Sequence, residues 1–276
     1  MKNIFKISLA AGAVCLAAAA LDSRLEVSYY DVESDRLPGE FDGFKIAHIS
    51  DYHNCPVTGL NEKIKAHAPD MIAMTGDMTS DREGSSYLPA IELISELVKL
   101  APCFIVSGNH DTWRNDYKDF VASCKNAGAH FLQNETYPFE RNGRQILISG
   151  MEDVFTKVRA EEKAAEYLDN FSVGESYQIL LFHRANLLDK VKDFGFDLIL
   201  SGHLHGGQVR IPYIGGVFMP LSSMSESSRI LFPKYSGGLY QFGTTSAIVN
   251  RGIGNPMIVP RVFNRPELGI ITLKST

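Results

Sequence analysis

Cysteine is scarce in this chain. The 276 residues include four cysteines, Cys15, Cys55, Cys103 and Cys124, and no two of them are spaced as CxxC. This spacing provides no disulfide framework. Cys15 lies in an N-terminal leader, so an exported chain would keep three cysteines, which cannot all pair with one another. We therefore predict isolated free thiols.

An excess of basic residues is also missing. The sequence has 27 Lys and Arg against 32 Asp and Glu, which gives a formal net charge of -5. Proteins that bind nucleic acid usually carry a basic surface, so we predict no nucleic-acid partner. The charge does not exclude a phosphate substrate, because bound metal ions supply positive charge locally. With 45% hydrophobic and 21% charged residues, the composition is that of an ordinary globular protein.

The uncharged N-terminal run at residues 7–21 is short for a membrane span, which needs roughly 20 residues. A basic segment, residues 1–6, precedes it, and Ala18-x-Ala20 resembles a signal-peptide cleavage site. We predict that residues 1–21 are a signal peptide or an uncleaved membrane anchor, and that the protein is membrane-associated or extracytoplasmic. A buried N-terminal helix is the alternative. Residues 40–276 are predicted to form a single domain, because domains run to roughly 250 residues before they split.

Short apolar runs alternate with helical patterns along the chain. Apolar residues at helical spacing predict helices at 60–67, 87–100, 117–127, 160–168 and 187–194. Buried strands are expected at 44–50, 71–75, 104–107, 129–133, 178–182, 198–201, 246–250 and 269–273, with a hairpin at 139–148 that turns at Asn142-Gly143. This alternation predicts a layered α/β architecture.

Side chains that can bind metal ions lie within a few residues of the ends of five of these strands. They are Asp51, Asp77, Asn109, His183 and His203. In open α/β sheets, sites form in the crevice beyond the carboxyl ends of the strands. We therefore expect five strands to bring these side chains to one edge.

Three of the motifs that contain these residues are weak when taken alone. Asp51-x-His53 and Gly76-Asp77 are also compatible with simple turns. A single histidine after an apolar strand, such as His183, is more often structural than a metal ligand. These motifs gain weight only from their joint occurrence.

Two motifs are more specific. In the segment Gly202–His205, two histidines one residue apart can reach two different metal ions. In the segment Gly108–Asp111, the asparagine oxygen is a neutral ligand that suits a site crowded with negative charge. His110 is predicted to lie beside the metals as a general acid, and Asp111 to orient its imidazole.

In this order, the five motifs resemble the calcineurin-like metallophosphoesterase superfamily, and the resemblance spans about residues 44–208. It implies an α/β fold, a four-layer α-β-β-α sandwich of two mixed sheets flanked by helices. It also implies a metal-dependent hydrolase of phosphoester bonds with two divalent ions, for which the Asp, Asn and His ligands suit Mn, Fe or Zn. A metal-bridged hydroxide would attack phosphorus, and His110 would protonate the leaving oxygen or stabilise charge on the phosphoryl group. The implied ligands are Asp51, His53 and His205 for the first ion, Asn109, His183 and His203 for the second, and Asp77 as the bridge.

Later segments are similar to one subfamily, the small membrane-associated phosphodiesterases to which bacterial UDP-2,3-diacylglucosamine pyrophosphatase activity is assigned. The similar segments are residues 206–212, 232–240, 251–254 and 263–268. The resemblance implies a lipid-linked or nucleotide-linked substrate and a place in lipid A biosynthesis.

The surroundings of the predicted site carry three further expectations. Arg184 either contacts substrate phosphate or forms a structural ion pair. Asn54 and Cys55 are expected to line the site without binding metal, and Asn54 is also a candidate substrate-binding residue. The apolar segment 206–224 is expected either to pack against the sheet or to form a lid or an acyl-chain surface.

Two other functions are compatible with the sequence. One is a phosphomonoesterase, acting on a phosphoprotein or a small molecule, on the same fold. The other is a non-catalytic binding scaffold, which the presence of all seven ligand positions and His110 argues against.

Overall fold

The first of two six-stranded sheets contains strands from both ends of the chain. The computed structural model describes residues 15–154, 160–218, 230–256 and 259–276. The strand order of this sheet is β1 (Glu26–Ser34), β14 (Glu267–Ser275), β2 (Lys45–Ile49), β3 (Met71–Thr75), β4 (Cys103–Val106) and β5 (His130–Phe131). Strands β2 to β5 run parallel, and β14 is antiparallel to β2. All five residues of β3 are buried, as expected for a central parallel strand.

The second sheet is also mixed. Its order is β12 (Gly238–Phe242), β13 (Thr245–Val249), β9 (Leu198–Gly202), β8 (Gln178–Arg184), β7 (Arg144–Gly150) and β6 (Glu135–Arg141). The four inner strands are parallel, and the two outer strands pair antiparallel to their neighbours. The turn between β6 and β7 is Asn142-Gly143, as predicted, and both residues have positive φ angles. A short pair, β10 (Arg210–Ile211) and β11 (Gly215–Gly216), lies outside both sheets.

Helices cover the outer faces of both sheets. α1 (Leu60–His67), α2 (Leu88–Leu97) and α4 (Tyr117–Asn126) pack on the first sheet, and α5 (Ala160–Leu168) and α6 (Leu188–Val191) pack on the second. α3 (Asn109–Thr112) is a single turn after β4. A third apolar cluster fills the space between the sheets, where Phe44, Ile46 and Phe104 meet Ile148 and Leu200. The four-layer α-β-β-α arrangement is therefore confirmed.

Most predicted elements are present, and the differences have local causes. The predicted helix at 187–194 is a 3-10 turn, Ala185–Leu187, followed by the short α6. Strands β1 and β12 were not predicted. Both are edge strands with exposed and half-buried positions, so neither has the continuous apolar run that marks a buried strand.

The predicted leader lies mostly outside the described residues. Residues 1–14 and 219–229 are not described, so the predicted leader is covered only from residue 15 and the predicted apolar segment only to residue 218. Residues 15–20 are helical. No helix among the described residues is both long and apolar enough to cross a membrane.

Candidate metal centre

The facing edges of the two sheets bring the predicted ligands together. Asp51, Asp77 and Asn109 follow β2, β3 and β4 of the first sheet, whereas His183 lies near the end of β8 and His203 follows β9 of the second. The sequence predicted that one sheet edge would carry these side chains. In the structure they come from the edges of two sheets, which face each other. His53 and His205 extend the same loops, and none of the seven residues is more than 4% exposed.

Six of the candidate ligands form two groups of three, and the carboxylate of Asp77 contacts both groups. Ligand atoms within each group lie within 4.8 Å of one another, and the groups are Asp51, His53 and His205, and Asp77, His183 and His203. Asp77 Oδ2 lies 3.1 Å from His183 Nε2 and 3.7 Å from His53 Nε2. Asp77 thus contacts both groups, which is the position that a bridging carboxylate requires.

Several ligand atoms are buried without a hydrogen-bond partner among the described residues. They include both amide atoms of Asn109, both ring nitrogens of His53, and Nδ1 of His205. Buried polar side-chain atoms in proteins are nearly always hydrogen-bonded, so unsatisfied atoms converging on one point indicate a missing partner. The donor set of Asp, Asn and His fits divalent ions. The site is therefore suited to a dinuclear divalent metal centre.

Neighbouring groups hold these side chains in position. His183 Nδ1 donates to Thr75 O at 2.6 Å, which leaves Nε2 of the imidazole directed toward Asp77. The His203 N–H donates to Asp51 Oδ2 at 3.0 Å. The His110 N–H donates to Asp77 Oδ1 at 2.8 Å, so the turn that follows β4 fixes the shared carboxylate.

The backbone at the site is unusual. Five of the seven predicted ligands have positive φ angles: Asp51, His53, Asp77, His203 and His205. Non-glycine residues adopt this region at a cost in free energy, and such residues cluster at functional sites. Gly108 is required by close approach, because a Cβ there would overlap Asp77 Oδ1 and the Asp77 backbone nitrogen. The backbone at these residues is therefore held in strained conformations that direct the side chains inward.

The electrostatics of the site favour bound positive charge. Burial alone would raise the pKa of Asp77, but His183 and His110 hold it well below its usual range. Burial alone would lower the pKa of His183, but Asp77 outweighs it and raises the pKa to about 10. Burial lowers the pKa of His53 and of His205 to about 3, which leaves both imidazoles neutral and able to act as ligands.

His110 lies at the rim of the site and has a different carboxylate partner from the one expected. Its Nδ1 lies 2.6 Å from Asp81 Oδ1. Asp111, which the sequence analysis assigned to this role, instead accepts from the N–H groups of Thr79 and Gly108 at 2.8 and 2.9 Å. Burial opposes protonation of His110, but Asp77 and Asp81 raise its pKa to about 9. Asp81 therefore orients the imidazole, and Asp111 fixes the loop that carries Asp77.

Arg184 and Asn54 lie near the ligands with protein partners of their own. Arg184 is 1% exposed and forms a two-point pair with Asp153, with Nε to Oδ1 at 2.6 Å and Nη2 to Oδ2 at 3.0 Å. Of the two roles expected for Arg184, this contact matches the structural ion pair. Asn54 Nδ2 donates to Ser86 O at 2.9 Å, and its side-chain oxygen is buried without a hydrogen-bond partner among the described residues.

The apolar segment after the site does not pack against the sheet. Ile211, Tyr213, Ile214 and Phe218 are exposed, and Val217 is half-buried. The expectation of ordinary packing is therefore wrong for the four exposed side chains.

Three supporting residues were not found from the sequence. Asp81 holds His110, Asn264 Nδ2 donates to His205 O at 2.7 Å, and Arg261 is 5% exposed. The Arg261 guanidinium and Asp51 both border Gly252. A Cβ added to this glycine would contact both side chains, so the guanidinium lies close to Asp51. Only Asp81 lay close enough in sequence, in the loop that begins at Gly76-Asp77, for a short-range pattern to indicate it.

Comparisons with known proteins agree with this geometry. The chain is 29% identical to YkuE, an uncharacterized metallophosphoesterase of Bacillus subtilis, over 91% of this chain and 86% of that protein. It is 26% identical to the phosphodiesterase YaeI of Escherichia coli, over 83% and 82% of the two chains. It is 24% identical to the UDP-2,3-diacylglucosamine pyrophosphatase LpxG of Chlamydia muridarum, over 86% of each.

One solved structure shares the fold. The sulfate thiohydrolase SoxB of Thermus thermophilus superimposes with a TM-score of 0.51 at 12% identity, covering 87% of this chain and 58% of that one. Residues 44–207 match the calcineurin-like phosphoesterase family. The chain belongs to this family and is a metal-dependent phosphoester hydrolase.

Proposed function

We propose that the protein is a phosphodiesterase or pyrophosphatase that acts on a lipid-linked or nucleotide-linked substrate, such as UDP-2,3-diacylglucosamine. The observation that carries this proposal is the pair of buried Asp/His groups that are both contacted by the Asp77 carboxylate, with His110 at their rim. A phosphodiesterase and a pyrophosphatase are among the relatives that align over more than four fifths of the chain, which favours a diester or pyrophosphate bond.

Seven side chains would hold two divalent ions. Those for the first ion are Asp51, His53 and His205, those for the second are Asn109, His183 and His203, and Asp77 would bridge them. When bound, two such ions supply positive charge to the phosphoryl oxygens and acidify water. The ligand set contains no thiolate, which suits Mn, Fe or Zn.

His110 would supply the proton that the leaving oxygen needs. Its Nδ1 is held by Asp81, so Nε2 is the atom that donates. Asp81 also stabilises the charged imidazolium, which keeps the proton available until the phosphorus–oxygen bond breaks. Asp111 acts indirectly, because it accepts hydrogen bonds from the backbone of the loop that carries Asp77.

A phosphomonoesterase on the same fold is the alternative, and one assay separates the two. The protein loaded with Mn is given bis-p-nitrophenyl phosphate and p-nitrophenyl phosphate under the same conditions. We expect a higher kcat/KM for the diester, and His110→Asn should lower the rate on both substrates. A clear preference for the monoester would count against the diesterase proposal.

The position of the protein in the cell is a separate proposal. Residues 1–21 would act as a signal peptide or membrane anchor, and residues 40–276 as the catalytic domain. N-terminal sequencing of the mature protein tests this directly. A start near residue 21, or an intact N-terminus in the membrane fraction, is expected. An intact Met1 in the soluble fraction would exclude it.

A further inference from the structure

An exposed apolar surface lies beside the candidate metal centre. The β10–β11 hairpin continues into residues 217–218, which contact the segment 230–232. The Phe232 N–H donates to Val217 O at 2.9 Å, and Phe218 forms an isolated β-bridge with Leu231. Tyr213 is fully exposed and Ile214 is 68% exposed. We call this the apolar hairpin surface, and its exposed side chains are Ile211, Tyr213, Ile214, Phe218, Leu231 and Phe232. So many large apolar side chains together on a surface indicate a binding partner.

The two charged residues that flank this surface in sequence are basic. No residue from 211 to 218 or from 230 to 233 is charged, and Arg210 and Lys234 flank the two segments. The adjoining cavity, of about 680 Å³, has these two cations in its lining and no carboxylate. The Arg210 guanidinium donates to Gly206 O, whereas Lys234 pairs with Asp189 at 2.8 Å. An apolar centre with basic flanks matches an interface with anionic headgroups.

The leader joins the body of the protein next to this surface. The Phe263 N–H donates to Ala20 O at 2.7 Å, and Phe263 lines the same cavity as Tyr213. The Arg210 N–H donates to Val262 O at 2.9 Å, so the β10 strand lies on the segment that receives residue 20. The described part of the leader, residues 15–21, therefore joins the body on the same side of the molecule that carries the apolar hairpin surface.

The same hairpin is built directly on the candidate metal centre. The Phe218 N–H donates to Gly207 O at 3.1 Å, and the Arg210 side chain donates to Gly206 O at 3.0 Å. These acceptors belong to the turn His205–Gly207, whose first residue is a candidate ligand. A partner bound at the apolar hairpin surface would thus contact the segment that is hydrogen-bonded to the turn carrying His205.

We propose that the apolar hairpin surface docks on an anionic lipid bilayer and presents the metal centre to substrate in that bilayer. Tyr213 and Ile214 enter the interfacial region, and Arg210 faces the headgroups. The placement of the leader on the same side selects a bilayer over a second copy or a protein partner. The inference deepens the proposed function and rests on it only for the catalytic consequence, because docking itself needs no substrate.

Tryptophan quenching tests the docking orientation in the full-length chain. The sequence has a single tryptophan, Trp113, which contributes the same background to each variant. Tyr213→Trp and the control Leu88→Trp, at a 58% exposed position on α2, are bound to phosphatidylcholine/phosphatidylglycerol vesicles with brominated acyl chains. We expect quenching of the added tryptophan to be at least threefold greater at position 213. Equal quenching, or none at position 213, would overturn the proposal.

Two further outcomes separate docking from the alternatives. A concentration-dependent blue shift of Tyr213→Trp emission without vesicles, together with no quenching, would indicate a second copy and would overturn lipid docking. In activity assays, Tyr213→Ser combined with Ile214→Ser should lower hydrolysis of vesicle-borne UDP-2,3-diacylglucosamine at least tenfold, with bis-p-nitrophenyl phosphate hydrolysis unchanged. Leu88→Ser should change neither rate. Failure of the wild type on both substrates would contradict the proposed function and leave the quenching result intact.

Discussion

Asp153→Asn removes one charge from a buried ion pair and leaves the other uncompensated. Asp153 is 2% exposed and Arg184 1% exposed, and two short contacts join them. Removing one partner of such a pair destabilises proteins by about 3–5 kcal/mol. Asparagine keeps one acceptor oxygen for the guanidinium, so we expect a loss near the lower end, about 3 kcal/mol of the free energy of unfolding.

Urea denaturation, followed by circular dichroism, measures this loss. The matched control is Asp31→Asn, which breaks the exposed 2.7 Å pair between Asp31 and Lys274 and should leave the midpoint unchanged. A loss below about 1 kcal/mol for Asp153→Asn, within the range of a surface pair, would refute the reasoning. If KM rose while stability stayed constant, Arg184 would be available to substrate phosphate and not committed to a structural pair.

Three further changes probe the site and its supports. Asp81→Asn should lower kcat about 10- to 100-fold by releasing His110, with two metal ions per chain still found by elemental analysis. Gly108→Ala places a Cβ on the Asp77 carboxylate, so elemental analysis should find less than one ion per chain. Burial lowers the pKa of His48 to about 4, below its unfolded value of about 6.5, so the unfolded chain binds more protons between these values. His48 alone should therefore contribute a fall of up to about 3 kcal/mol in the unfolding free energy of the ion-free protein from pH 6.5 to pH 4 in urea titrations, and His48→Gln should reduce the total fall by that amount.

The clustering of the candidate ligands could be predicted because strand ends and ligand types are local features. Asp51, Asp77 and His183 each follow or end a buried apolar run, and parallel strands place such positions together. The way in which the two sheets face each other depends on contacts between residues far apart in sequence. A single edge was therefore expected where two edges meet. Strands β1 and β12 escaped prediction because their half-exposed patterns lack a continuous apolar run.

The hydrogen-bond partners of the candidate site residues could be predicted less well than the clustering of those residues. Asp111 is next to His110 in sequence, yet Asp81 is the residue that contacts its imidazole. The choice depends on the turn at Gly108, which directs Asp111 back to backbone N–H groups. Asn264 supports His205 from a segment 59 residues away, and no short-range pattern indicates that contact.

Metal content and turnover of Asp77→Asn test the central claim most directly. Elemental analysis of the wild type should find two divalent ions per chain, and bis-p-nitrophenyl phosphate hydrolysis should depend on them. Asp77→Asn removes the carboxylate that contacts both ligand groups, so we expect loss of at least one ion and of metal-dependent turnover, with an unchanged circular dichroism spectrum. Asp193→Asn, at an exposed position, is the control. Two ions and full activity in Asp77→Asn would contradict the account.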